Sequence, residues 1–144
     1  MVDEDIVIDK LRHSNEYTND LKQFRGMTKE TYTSEMVTQR AVERTFMDLI
    51  QSCIGLAQHI RSEENLGPSS TSREEIEALG DANVISRQTQ ARMEEAVGFR
   101  NVLAHRYGDV NHDVVYAVLH EDLQWFEKFQ QEIAQWYQQR NRER

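Results

Sequence analysis

Within the stretch FRNVLAHRYGD, residues 99–109, four side chains have the types and spacing of a reactive site: Arg100, Asn101, His105 and Tyr107. An imidazole with its ordinary pKa of about 6.5 accepts and releases protons near neutral pH. A guanidinium is always charged and stabilises anionic oxygens. Together they suffice for metal-free cleavage of RNA, because the ribose 2′-hydroxyl already lies beside the phosphate. The imidazole takes its proton while the guanidinium stabilises the charge growing on the phosphorane. The Asn101 amide has donors and an acceptor suited to orienting a ribose or a phosphate.

Arg100 falls four residues after Ala96 and three before Leu103, on or beside an apolar helical stripe where a guanidinium is costly unless paired or solvated. The structural alternative is a salt-bridging arginine close to a helix C-terminus, where a cation also favours the dipole. For His105 that alternative is a helix-ending histidine, and for Tyr107 a packing aromatic. On an ideal helix five residues turn through about 500°, so Arg100 and His105 diverge by about 140°, while Tyr107 returns almost beneath Arg100. Convergence of Arg100 with His105 requires the helix to end near His105, as Gly108 suggests, or a second copy of the chain to bring its own motif close.

The elements that must position these residues read as helices. The 144 residues fit one domain, 1–144, and a single Pro with six Gly leaves few interruptions. Residues 3–25 carry Ile6, Leu11, His13, Tyr17, Leu21 and Phe24 at helical spacing and end at Gly26. After TKETYTS, where Thr33 or Ser34 is a candidate cap, Val42, Phe46, Leu49, Cys53, Leu56 and Ile60 form a strong stripe flanked by Val37, Ile50, Ile54 and Ala57. An apolar face that wide predicts a central helix packed on more than one side. EENLGPSSTS, residues 63–72, holds the only Pro and reads as a loop, and Ser72 with Glu75 predicts a capping box opening a short helix. Residues 86–105 follow as the motif helix, with Met93, Ala96, Val97, Leu103 and Ala104 inward. From Asn111 onward, Val115, Leu119, Leu123, Phe126, Ile133 and Trp136 repeat in near-heptad steps. No stretch alternates as a strand does. The expected fold is all-α, an antiparallel bundle of four long helices plus one short one.

Charge narrows the function classes. A net charge of −8 opposes binding of nucleic acid over the whole surface, so a nucleic-acid site has to be local. Residues 86–108 hold four Arg against two Glu, a local excess of +2 that meets this requirement. Cys53 has no second cysteine to pair with and shares its face with Leu49 and Leu56, so it reads as a small buried hydrophobe. No apolar run approaches the roughly 20 residues needed to span a bilayer, and residues 1–10 lack a basic-then-apolar signal, so a cytoplasmic protein is expected. His59 with Glu63, and His112 with Asp113, lack the spacing of a recognised metal site. No glycine-rich phosphate loop is present, so no metal or cofactor is expected and the chain itself should not turn over ATP. Trp125, Phe126, Phe129 and Trp136 read as core or dimer interface.

The pattern R-x4-H-x-Y formed by Arg100, His105 and Tyr107, within GFRNVLAHRYGDVNHDVVY, resembles the HepT toxins of the HEPN superfamily. The resemblance extends in order through QRAVER, REEIEALGDANVI, the motif helix and VVYAVL, covering most of the chain. It implies a homodimeric HEPN-like bundle whose two motifs line a shared cleft and act as a metal-independent endoribonuclease, the toxin of a toxin–antitoxin system. By position, Arg100 and His105 inherit the catalytic roles, Asn101 a supporting polar role, and Tyr107 the role of a tyrosine that receives AMP. The implied partners are an RNA substrate, tRNA or mRNA, and a cognate MNT-type nucleotidyltransferase antitoxin that silences the toxin by this modification; neither DNA nor a membrane is expected. The alternative is a non-catalytic HEPN-like module that dimerises and holds a partner enzyme or nucleotide.

Overall fold

A computed structural model describes residues 4–105 and 110–143, and every regular element among them is a helix. In chain order these are α1 (Glu4–Lys22), α2 (Lys29–Ser34), α3 (Met36–Glu63), α4 (Ser72–Asp81), α5 (Arg87–His105), α6 (His112–Glu121) and α7 (Leu123–Arg142). The four long helices, α1, α3, α5 and α7, form the expected bundle. The short ones number three among the described residues, not one, and the two unexpected helices have physical causes.

Helix α2 arises inside TKETYTS. Thr28 is its N-cap and its Oγ1 accepts from the Thr31 N–H at 3.1 Å. Thr33 and Ser34, expected to cap the next helix, instead turn their hydroxyls back and donate to the carbonyls of Lys29 and Glu30, each at 2.9 Å. Glu35 is the N-cap of α3 and makes no side-chain cap bond. The second difference is the break at Asp122, which separates α6 from α7. Leu119, Leu123 and Phe126 are all buried across it, so the apolar repeat runs through the break and gives no sign of it. The cap of α4 is also displaced by one residue: Thr71 Oγ1 accepts from the Glu74 N–H, and the Glu74 carboxylate accepts from the Ser70 N–H at 2.7 Å.

Two helix ends are closed by asparagine in the left-handed region. After α3, Asn65 has φ 54°, and the N–H of Leu66 donates to the Arg61 carbonyl at 3.0 Å. After α4, Asn83 has φ 59°, and the N–H of Val84 donates to the Leu79 carbonyl at 2.9 Å. Both satisfy carbonyls that a helix end leaves without partners.

Side-chain pairings fix the directions of the long helices. Phe46 meets Phe126 and Glu64 pairs with Arg140, so α3 and α7 run parallel. Thr89 donates to Glu132 while Arg92 lies over the Trp125 ring, so α5 runs antiparallel to α7 and therefore to α3. Lys22 pairs with Glu127 and Gln130 reaches Ser14, which sets α1 antiparallel to α7. The N-terminal end of α3, the C-terminal end of α5 and the start of α6 consequently gather at one end of the bundle.

The central helix has the breadth its pattern predicts. Val42, Phe46, Leu49, Ile50, Cys53, Ile54, Leu56, Ala57 and Ile60 are all buried on it, whereas Val37, expected to flank the stripe, is 82% exposed. Burial pushes the Cys53 thiol up to about 12, so it is a neutral core group. Helix α1 differs from its apolar reading: Val7, Ser14, Thr18 and Leu21 are buried, while His13 is exposed and Leu11 and Tyr17 are half-buried. The two hydroxyls are stabilised there because Gln130 Nε2 donates to Ser14 Oγ at 2.7 Å and to Thr18 Oγ1 at 3.0 Å. Phe46, fully buried, touches the Phe99 ring edge-on at 5.4 Å and the Phe126 ring at 6.4 Å, joining α3, α5 and α7. Phe46→Ala is expected to cost about 3–5 kcal/mol of stability, measured as a fall in the urea midpoint. A loss below about 1 kcal/mol would show that this three-ring contact does not anchor the bundle.

Candidate active site

Arg100, Asn101 and His105 all lie in the last two turns of α5. The helix is held there by Phe99 against Phe46 and by buried Leu103. On the side facing α6 and α7, Met93, Ala96 and Phe99 line a groove of 170 Å³ closed by Val118, Asp122, Trp125 and Phe126. Arg100 continues this row one turn beyond Ala96. It directly follows Phe99, the last residue of α5 that lines the groove.

Arg100 is half-buried and, among the described residues, makes no hydrogen bond and no ion pair. Among the described residues, the salt-bridge alternative has no partner. Half-removing a guanidinium from water without a compensating anion is unfavourable, and the usual compensation is a carboxylate or a phosphate. Asn101 and His105 are exposed, and His105 is the last residue of α5. Because both Arg100 and His105 belong to the regular helix, the divergence of about 140° expected from their spacing persists. Helix termination does not bring the two together within one chain. Tyr107, with Arg106, Gly108 and Asp109, lies outside the described residues.

The same end of the bundle carries a polar cluster whose membership the sequence did not reveal. Glu43 of α3 is buried to 8% exposure, and Arg40 Nη1 donates to its two carboxylate oxygens at 3.1 and 3.2 Å. His112, the first residue of α6, turns Nδ1 toward Glu43 Oε2 at 3.6 Å. Tyr32 of α2 completes the cluster: its ring meets the His112 ring edge-on at 6.5 Å and its buried hydroxyl has no hydrogen-bond partner. Burial, and next the Glu43 carboxylate, push the Tyr32 phenol well above its usual range and keep it neutral. Asp113, adjacent to His112 in sequence, pairs with Lys29 at 3.7 Å instead. The available sequence signal was Glu43 itself, a carboxylate between Val42 and Phe46 on the central stripe, as anomalous there as Arg100 is on α5.

The family model for HepT-like proteins, described as ribonuclease HepT-like, matches residues 14–133. The chain belongs to the HepT-like ribonuclease family. The HepT-like match contains α3, α4, α5 and α6 whole, and with them Arg100, Asn101, His105, Tyr107 and the Glu43–His112 cluster. Among characterised relatives, the chain is 27% identical over 125 residues to an mRNA nuclease HepT of Shewanella oneidensis, covering 87% of this chain and 93% of that protein. It is 26% identical over 128 residues to a tRNA nuclease HepT of Aphanizomenon flos-aquae, covering 89% of this chain and 87% of the relative. Among solved structures, the tri-AMPylated HEPN toxin of Shewanella oneidensis in complex with its MNT antitoxin superposes with a TM-score of 0.85 at 26% identity, over 92% of this chain and 98% of the toxin. The cytosolic protein YutE of Bacillus subtilis, at 12% identity and a TM-score of 0.84, over 96% of this chain and 93% of that one, shares the HepT-like fold alone.

Among the described residues, no helix is long and apolar enough to cross a membrane and no three His, Cys, Asp or Glu side chains converge as a metal site.

Proposed function

We propose that this protein, acting as one domain over residues 1–144, is the toxin of a toxin–antitoxin pair. It cleaves RNA without a metal at a cleft formed by two copies of the chain, and a cognate MNT-type nucleotidyltransferase silences it by transferring AMP to Tyr107. The observation that carries this reading is Arg100, a half-buried guanidinium with no protein partner among the described residues, followed directly by exposed Asn101 and five residues on by exposed His105. A phosphodiester supplies the missing anion. His105 then takes the proton of the 2′-hydroxyl, and Arg100 stabilises the phosphorane that forms. Asn101 orients the ribose or phosphate from the exposed side of α5.

Two observations support dimerisation at this end. The divergence of Arg100 from His105 on one helix means that a single chain presents them to different sides. Of the exposed large hydrophobic residues, Met36 and Val37 at the start of α3, Val102 on α5 and Val114 on α6 all lie at the motif end of the bundle. A two-fold arrangement covering them lets Arg100 of one chain serve with His105 of the other. The expected particle in solution has twice the 17.0 kDa mass of the chain.

Mixing two inactive variants tests the shared cleft. Arg100→Ala and His105→Ala proteins, each inactive alone, are expected to recover cleavage on co-refolding, because a mixed dimer contains one intact Arg–His pair. No recovery, with mixed dimers demonstrated by native mass spectrometry, would place both residues of each site in one chain. Intact RNA at near-stoichiometric wild-type protein in EDTA would favour the non-catalytic binding module over the nuclease.

A further inference from the structure

Cleavage by attack of the 2′-hydroxyl needs two proton transfers, and Arg100 with His105 accounts for one. A base removes the 2′ proton, and an acid must deliver a proton to the departing 5′-oxygen, a poor leaving group as an alkoxide. Building on the nuclease reading above, we infer that His112, held by Glu43, is this second group: a catalytic acid at the start of α6 facing the motif across the gap between α5 and α6.

The placement follows from the helix directions. Arg92 and Asp122 both line the groove, and the Arg92 charge acts on the Asp122 carboxylate. At the other end of α6, His112 reaches Glu43, one turn from the Phe46 that touches Phe99, so α6 runs antiparallel to α5. Eight residues along α5 from Arg92 is Arg100, and eight residues back from Asp122 is Val114, two residues from His112. The backbones of Arg100 and His112 are thus separated by roughly 10–15 Å, a gap that one phosphodiester fills between an arginine and a histidine side chain. The contacts run through α3: Phe46 touches Phe99, Glu43 lies one turn before Phe46, and His112 reaches Glu43.

The immediate surroundings of His112 are those of a positioned acid. Its Nδ1 is buried, faces Glu43 Oε2 at 3.6 Å and has no hydrogen-bond partner among the described residues, while its side chain is 29% exposed. The open edge of the ring is therefore the one carrying Nε2. Arg40 Nη1 donates to both Glu43 oxygens, which favours this orientation of the carboxylate. Tyr32 walls the ring from the side, and Asn111 caps α6 by accepting from the N–H groups of Asp113 and Val114. An imidazole oriented by a carboxylate through one nitrogen, with the other open to substrate, is the arrangement that lets histidine hold and release a proton in one direction. Among the described residues, the charged and titratable groups around it are Glu43 and Arg40 on α3, Tyr32 and Lys29 on α2, and Asp113 and Tyr116 on α6, with Arg100 on α5 the nearest motif cation.

The step balances. The 2′-oxygen forms its bond to phosphorus as its proton passes to His105. The bond from phosphorus to the 5′-oxygen breaks as the His112 imidazolium gives its Nε2 proton to that oxygen. The products are a 2′,3′-cyclic phosphate and a 5′-hydroxyl, and solvent restores both imidazoles. Glu43 is a positioning residue, acting through His112.

Leaving-group substitution tests this. A ribonucleoside 3′-(p-nitrophenyl phosphate) expels a stable phenolate and needs no acid. His112→Ala and His112→Gln are expected to lose at least about a hundredfold in rate on RNA and to retain near wild-type rates on the p-nitrophenyl ester. His105→Ala loses both. Glu43→Gln is expected to slow cleavage of RNA while leaving the p-nitrophenyl ester near its wild-type rate, because only the acid that Glu43 positions is impaired. Equal losses on both substrates, or none on either, would overturn the inference; the latter is the outcome if a second copy of His105 is the acid. The wild-type protein gives a reading that needs no variant: the alkaline limb seen with RNA disappears with the p-nitrophenyl ester, and its persistence would also overturn the inference. A wild-type protein inactive on both substrates would instead sink the nuclease reading itself.

Discussion

Arg100→Ala is expected to reduce RNA cleavage by at least about a hundredfold while leaving the helical circular-dichroism signal and the melting temperature essentially unchanged. The two halves of this expectation come from the same fact. Among the described residues the Arg100 side chain pairs with nothing, so its removal breaks no hydrogen bond and no ion pair with them. The loss appears only when a phosphate arrives and its charge grows in the transition state. His105→Ala is expected to behave likewise, because an exposed residue at the end of α5 supports little of the fold. A variant that melts well below wild type and loses activity in proportion would mean that these residues act through stability.

The second large effect concerns Tyr107. AMP transfer from ATP joins the tyrosyl oxygen to the α-phosphate and releases pyrophosphate, leaving a bulky anion two residues beyond His105. That anion would compete with substrate for Arg100 and obstruct entry at the same time. Incubation with the cognate nucleotidyltransferase, ATP and a divalent metal is expected to abolish cleavage and add one or more adenylate units to Tyr107, measured by intact mass and peptide mapping. Tyr107→Phe should retain nuclease activity, since the hydroxyl has no part in the proton transfers, and should escape silencing. Full inhibition with Tyr107 unmodified would contradict this mechanism and leave occlusion by the bound partner.

How much of this was legible before folding depends on the reach of each interaction. The α3 stripe was readable because its apolar residues recur at helical spacing and are buried, apart from Val37 in its exposed first turn. The inner face of α1 was not: Ser14 and Thr18 become core residues only when Gln130, more than a hundred positions later, supplies their hydrogen bonds. The break at Asp122 was hidden because the apolar repeat continues unperturbed on either side. At the site, Arg100 announced itself as a charge on an apolar stripe. Glu43 gave the same local signal, yet its meaning depends on His112, 69 positions away, and no spacing rule connects them. A residue anomalous by its own position was thus easier to read than one defined by a tertiary partner.

The central claim is that the end of the bundle formed by the starts of α3 and α6 and the end of α5 cleaves RNA through its own side chains. The measurement that tests it most directly is the chemistry of the cut ends. Purified protein and a defined RNA oligonucleotide, incubated with excess EDTA, are expected to yield fragments ending in 2′,3′-cyclic phosphate and beginning with 5′-hydroxyl, identified by mass spectrometry. Fragments bearing 5′-phosphate, or cleavage abolished by EDTA and restored by a divalent metal, would contradict the account.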